Sequence, residues 1–320
     1  MQLNLYGILI QAHISSKYIE ELLISEFSFW ESNPRRICDE KLNINIVFDD
    51  SPWFDKNNTK VLNTDENTYY FKKNLVYIKP HHDCVVAKIN ILQNDITISI
   101  KHEDIKTYLF VKAVLNSFIA YILKKNNVYR VHGSVMAQEQ KVIILLGASG
   151  TGKSTSAYYL IQEGFDYFGD DILYLRFTKE GVDILPYPNN LSTDLYESDR
   201  FIKFKDGYRT KSLIPLKTKK FPLHYQLYII SLSLYSSNNS VIEELTFEEK
   251  CNILTSSFIN TPFEHFEHFD EKEKFNLIYS LIQISEFKGI GLGTDKDSFV
   301  KSIEKVINNP TRAQTKGVTL

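Results

Sequence analysis

The run Gly147-Ala148-Ser149-Gly150-Thr151-Gly152-Lys153-Ser154 constrains this chain more than any other feature, because it satisfies the phosphate-loop pattern G-x-x-x-x-G-K-[ST] in full. It follows an apolar strand, Val142–Leu146, and precedes Ser156–Glu163, which reads as a helix stopped by Gly164. Strand, glycine-rich loop and helix in that order commit the middle of the chain to an α/β core. Glycines let the backbone curl so that successive N–H groups point at phosphate oxygens, and the helix adds its partly positive N-terminus. Gly147 through Thr155 is therefore the expected cradle for a nucleoside triphosphate. Lys153 supplies a mobile charge for the β- and γ-phosphates, and the Ser154 hydroxyl is placed to ligate Mg²⁺.

Two further features sit near this loop. Asp170-Asp171 lies one helix beyond it, just ahead of the strand Ile172–Leu175. Adjacent carboxylates at a strand edge beside a triphosphate suggest one metal ligand and one group facing an acceptor; capping a turn is the plainer use of Asp. Upstream, His132 stands in Val131-His132-Gly133-Ser134, in an expected hairpin leading into the loop strand. A histidine there can hydrogen-bond a catalytic carboxylate, although a lone His is as readily structural.

In order and spacing, His132-Gly133-Ser134, the loop, and Gly164 through Gly169-Asp170-Asp171 resemble the HPr kinase/phosphorylase family, P-loop kinases that share a core with phosphoenolpyruvate carboxykinase. The resemblance implies an α/β fold with that kinase core, here preceded by a β-rich α+β N-terminal domain. It implies that His132 orients, that Asp171 is the base toward an acceptor serine, and that Asp170 assists the metal. The bifunctional members carry an Arg-Gly-Leu-Gly type signature soon after the Asp pair, tied to dephosphorylation. This chain has Pro186-Tyr187-Pro188-Asn189-Asn190-Leu191-Ser192 there, so phosphorylase activity is not expected. Lys288-Gly289-Ile290-Gly291-Leu292-Gly293 comes too late in the chain and reads as a strand and turn before the helix Asp297–Asn308. The Pro-x-Pro segment and the stretch Arg209 to Leu216 are similar instead to HPr-kinase-like proteins that modify peptide natural products. A weaker likeness runs through Pro222-Leu223-His224 and the helix Thr246–Phe258. Arg209 or Lys211 is either a group that reaches the transferring phosphate or part of a charged surface turn.

Before the kinase-like region the first hundred residues read as strands, over Leu3–Gln11, Leu42–Phe48, Thr68–Tyr77 and Cys84–Ile100, with a helix over Lys17–Trp30. Lys106–Lys125 has helical spacing and ends at a natural boundary, giving an N-terminal domain over 1–127, a catalytic domain over 128–309 and a frayed tail over 310–320. With hydrophobic residues at 43%, charged residues at 24% and a net charge of −2, the chain has ample core material and no basic footprint for nucleic acid. Lys217-Thr218-Lys219-Lys220 reads as solvated loop. Cys38, Cys84 and Cys251 are isolated from one another, as thiols of a reducing compartment are, and His265 with His268 lacks a further ligand nearby. No leader pattern opens the chain, and its longest apolar run, Tyr108–Leu123, is interrupted by Lys112, Asn116 and Ser117; a cytoplasmic protein with no membrane span is expected.

These readings converge on an ATP- and Mg²⁺-dependent kinase for a hydroxyl, foremost Ser of a peptide or small protein. A nucleotide-dependent switch or ATPase, and a carboxykinase-like kinase of small metabolites, stand as alternatives. Homo-oligomerisation is left open by the sequence, although the bifunctional relatives assemble into rings.

Overall fold

The computed structural model describes residues 1–27, 37–49, 60–81, 85–178, 181–187, 191–193, 203–206, 209–214, 225–266 and 271–310. Contacts divide the chain into two compact units, Met1–Asn126 with Thr261–His268, and Asn127–Asn260 with Phe269–Leu320. Both mix helices with strands.

The first unit contains β1 (Gln2–Leu5), β2 (Ile8–Ile14), α1 (Lys17–Phe27), β3 (Glu40–Phe48), β4 (Lys60–Asn63), β5 (Asn67–Lys72), β6 (Leu75–Pro80), β7 (Val85–Asn90), β8 (Asp95–Ile100) and α2 (Ile105–Lys124). Its strands form a mixed sheet in the order β1-β2-β3-β8-β7-β6-β5-β4, in which β2, β3 and β8 run parallel. Ile8 and Ile10, Leu42, Ile44 and Ile46, and Ile96, Ile98 and Ile100 are buried at alternate positions, as a sheet covered on one face requires.

Three of the expected strands are in fact hairpins. Leu3–Gln11 turns at Tyr6 and Gly7, Thr68–Tyr77 turns at Lys73, and Cys84–Ile100 turns at Asn94. Each turn carries a positive φ within an otherwise apolar or strand-like run, so composition alone does not mark it. Cys84, and residues 28–30 of the expected first helix, lie outside the described residues.

Asp104 caps α2, accepting the Thr107 N–H at 2.7 Å. By length and hydropathy α2 could cross a membrane, but 67% of that stretch is buried inside the fold, as befits a core helix. Phe118 and Tyr121 of α2 pack against Phe263 from the short 3₁₀ turn Pro262–Phe266, and the buried Lys124 pairs with Glu264 at 2.5 Å. These contacts join residues 261–268 to the first unit, although the sequence places them in the later domain.

The second unit begins with β9 (Val128–Val131), β10 (Ser134–Gln138), β11 (Lys141–Leu146), α3 (Lys153–Gln162), β12 (Asp166–Gly169), β13 (Leu173–Thr178) and β14 (Gly181–Pro186). It continues with β15 (Leu191–Thr193), β16 (Lys203–Asp206), β17 (Arg209–Ile214), β18 (Gln226–Leu234), β19 (Val241–Glu243), α4 (Phe247–Ser257), α5 (Glu271–Ile284), β20 (Ser285–Leu292) and α6 (Lys296–Asn308). The central sheet runs β12-β10-β11-β18-β20-β19, with β11, β18 and β20 parallel.

One face of this sheet packs on α3 and α6 through Ile143, Leu145, Leu160, Ile230 and Ile303. The other packs on β9, β13, α4 and α5 through Val142, Ile144, Leu146, Leu173, Leu254 and Leu281. With both faces covered, the near-continuous burial of β11 follows. Truncating a side chain such as Leu145, which is fully buried, costs about 2–5 kcal/mol.

α4 opens with a capping box between Thr246 and Glu249, and Phe258 is its C-cap, close to the expected helix. Lys288–Leu292 falls within β20, ahead of α6, as the sequence implies.

Candidate active site

β11 delivers the phosphate loop at the carboxyl edge of the sheet, where ligands of open α/β folds gather. Gly147 has φ +152, and a Cβ there would lie 2.7 Å from Thr151 Oγ1 and 2.8 Å from the Leu232 carbonyl. Only glycine fits that close approach. The helix starts at Lys153 rather than Ser156, with Gly152 as its N-cap, so Lys153, Ser154 and Thr155 form the first turn of α3. The loop glycines take the left-handed turns, which lets helical geometry begin earlier than the glycine content suggests. Free N–H groups of that turn therefore belong to the loop itself. Lys153, 5% exposed, folds back and donates from Nζ to the carbonyls of Gly147 at 2.9 Å and Ala148 at 3.0 Å.

Asp170 and Asp171 follow β12 and precede β13. Ile172 N–H donates to the Asp170 carbonyl at 2.7 Å, closing a three-residue turn with Asp171 at its centre. Asp171 has φ +63, so this is a turn of the rare, strained γ class rather than its common inverse form. Two neighbouring carboxylates thereby enter opposite environments.

Asp170 is 1% exposed and accepts from Ser134 Oγ at 2.5 Å. The Ser154 side chain lies close enough to this carboxylate to favour its charged form. Burial first, and the charge of Asp171 second, hold the Asp170 carboxyl above its ordinary range, while the bond from Ser134 and the nearby Ser154 act in the opposite direction.

The Asp171 side chain is 54% exposed. His132 Nδ1 lies 3.0 Å from the Asp171 carbonyl oxygen and 4.0 Å from Oδ1. His132 is not within the hairpin of the loop strand: that hairpin is β10–β11, and His132 bridges β9 and β10, which belong to different sheets. The backbone there is fixed by His132 N–H donating to Ser257 O at 2.8 Å. Gly133 is pressed against β11, where a Cβ would come within 2.9 Å of the Leu145 carbonyl.

The fold thus joins Ser134 to Asp170, with Ser154 near it, and His132 to Asp171. Ser134 is the member that sequence reasoning assigned no task. A serine carries no signal of its own, and only the pairing of β10 with β12 places it under Asp170.

Arg209 and Lys211 lie in β17, with side chains outside the described residues. Pro188 to Asn190, Lys217 to Lys220, Pro222 to His224, His268 and the tail from 311 are also outside them. Among the described residues no group of three His, Cys, Asp or Glu side chains could hold a metal ion. Neither a scan against protein-family models nor a search of curated proteins returns a match.

Proposed function

We propose that this protein is an ATP- and Mg²⁺-dependent kinase of the HPr-kinase-like type, acting in the cytoplasm on a hydroxyl, foremost Ser of a peptide or small protein. The observation that carries the reading is the buried Asp170 carboxylate, held by Ser134 and set near Ser154 of the phosphate loop. A hydroxyl and a carboxylate side by side, opening on a phosphate loop, fit Mg²⁺, which binds through one or two protein oxygens together with substrate phosphates and water. Ser154 and Asp170 would hold the ion, and once bound it would neutralise charge on the phosphates. A carboxylate held above its ordinary range by burial and a like charge is suited to a cation partner.

Phosphoryl transfer asks the protein for positioning and electrostatics above all. The first turn of α3 offers its N–H groups to the phosphates, and Lys153 exchanges loop carbonyls for the stronger charged acceptors. Asp171 stands exposed on the far side of its turn, where it can take the proton of an acceptor hydroxyl. The environments of the two aspartates favour this division, with Asp170 toward metal and Asp171 toward acceptor.

The test is transfer of label from radiolabelled ATP to a Ser-containing peptide library, with and without Mg²⁺. Lys153→Ala and Asp170→Asn should each lower transfer by about a hundredfold or more, in line with losing one charged element of such a site. Unchanged transfer in either variant would remove the reading.

A further inference from the structure

His132 faces Asp171 in a manner that the pairing of a histidine with a catalytic carboxylate does not require. Its ring nitrogen makes its hydrogen bond to the main-chain oxygen of Asp171, at 3.0 Å, and the carboxylate Oδ1 lies farther off at 4.0 Å. A carbonyl oxygen only accepts, so Nδ1 carries the proton and donates. That same peptide belongs to the turn closed by Ile172 N–H and Asp170 O, whose central residue has φ +63 without being glycine. Such a conformation persists only where its surroundings over-determine it.

We propose that His132 is a positioning residue that clamps the Asp170–Ile172 turn through the Asp171 carbonyl, thereby keeping the two carboxylates apart. The inference rests on the kinase reading for its functional consequence and on geometry alone for the clamp.

Three features make His132 fit for the task. Its own backbone is anchored, with its N–H on Ser257 O and with Val131 bridged to Phe258. Its neighbour Gly133 is wedged against β11. The turn it holds lies between β12 and β13, strands of two different sheets. Nothing in sheet pairing fixes the peptide between them, so a side chain bound to a third point can. If the peptide rotates, the left-handed residue relaxes and the carboxylates lose the opposite environments that assign them different roles. The ring acts here on conformation, not on a proton of the acceptor.

The experiment compares His132→Asn, His132→Gln and His132→Ala in the full chain. The amide of Asn stands close to where Nδ1 stands and can donate to the same carbonyl, whereas that of Gln reaches the position of Nε2. Hydrogen exchange of the Ile172 amide, followed by NMR, reports the turn directly and needs neither nucleotide nor acceptor. The clamp requires Ile172 to exchange about five- to tenfold faster in His132→Ala and His132→Gln, the effect of one lost hydrogen bond, and at the native rate in His132→Asn.

Transfer from radiolabelled ATP to the peptide library should follow the same order, with His132→Asn within about threefold of the native protein and the other two reduced tenfold or more. Equal Ile172 exchange in all three variants would overturn the clamp. An inactive His132→Asn with native exchange, beside an active native protein, would overturn the purely positioning role, since the ring would then act on the substrate itself. A protein that transfers no phosphate yet shows the exchange pattern would retain the clamp and lose the kinase reading.

Discussion

The phosphate loop and the aspartate turn both depend on left-handed backbone, and they treat it in opposite ways. In the loop the positive φ angles fall on Gly147, Gly150 and Gly152, where no side chain suffers. In the turn the positive φ falls on Asp171, which keeps a side chain there and stays strained. On the proposed reading those glycines offer only main-chain N–H groups to phosphate and have no use for a Cβ, side-chain contacts being left to Lys153 and Ser154. The turn presents the Asp171 carboxylate at the point of strain, where the proposed base is needed. Strain is absent where the proposed role falls on the backbone and retained where it falls on a side chain.

Altering the loop should have the largest effect. Gly147→Ala forces a Cβ against Thr151 and the Leu232 carbonyl, and ATP affinity measured by calorimetry should fall about a hundredfold or more. Native affinity in that variant would dissolve the contrast with the turn.

Asp170→Asn should separate stability from activity. The carboxyl of Asp170 lies above its ordinary range in the folded chain, raised by burial, and within that range when unfolded. The folded chain therefore holds that proton more tightly, and its stability falls as pH rises from the ordinary carboxylate range through the raised value. In metal-free buffer at about pH 8 the Asn variant should melt above the native protein, and the gap should close toward about pH 3. The same variant should lose phosphoryl transfer.

Ser134→Ala leaves a fully buried carboxylate without one of its donors and should lower stability by about 1–3 kcal/mol in denaturant titration. Asp171→Gly should change it least, by about 0.5 kcal/mol or less, because relief of the left-handed strain offsets the freedom glycine adds to the unfolded chain. Asp171→Ala, which keeps the strain without the local hydrogen bonding of Asp, should cost more than Asp171→Gly. The reverse order would mean that the turn carries no strain.

The loop was legible in the sequence because its signal is local: an apolar strand, spaced glycines, Lys153 and Ser154, and a helix. The hairpins of the first unit were not, since their turns at Tyr6, Lys73 and Asn94 sit inside runs of strand-forming residues. The partnerships of the site were legible only in part. His132 and the Asp pair stood out by type and order. Which atoms meet depends on β10 pairing with β12, and β9 with β13, across distances no local pattern encodes. Ser134 shows this most plainly, being ordinary in sequence and buried under Asp170 in the fold.

The most direct test of the division between the aspartates is Asp171→Asn, which keeps the side chain's shape and removes its charge. Binding of MgATP and transfer to the peptide library should be measured on the same preparation. The account requires native MgATP affinity, with transfer reduced about a hundredfold or more, as expected for a general base lost from an intact nucleotide site. An Asp171→Asn protein that transfers phosphate at the native rate, or that no longer binds MgATP, would contradict it.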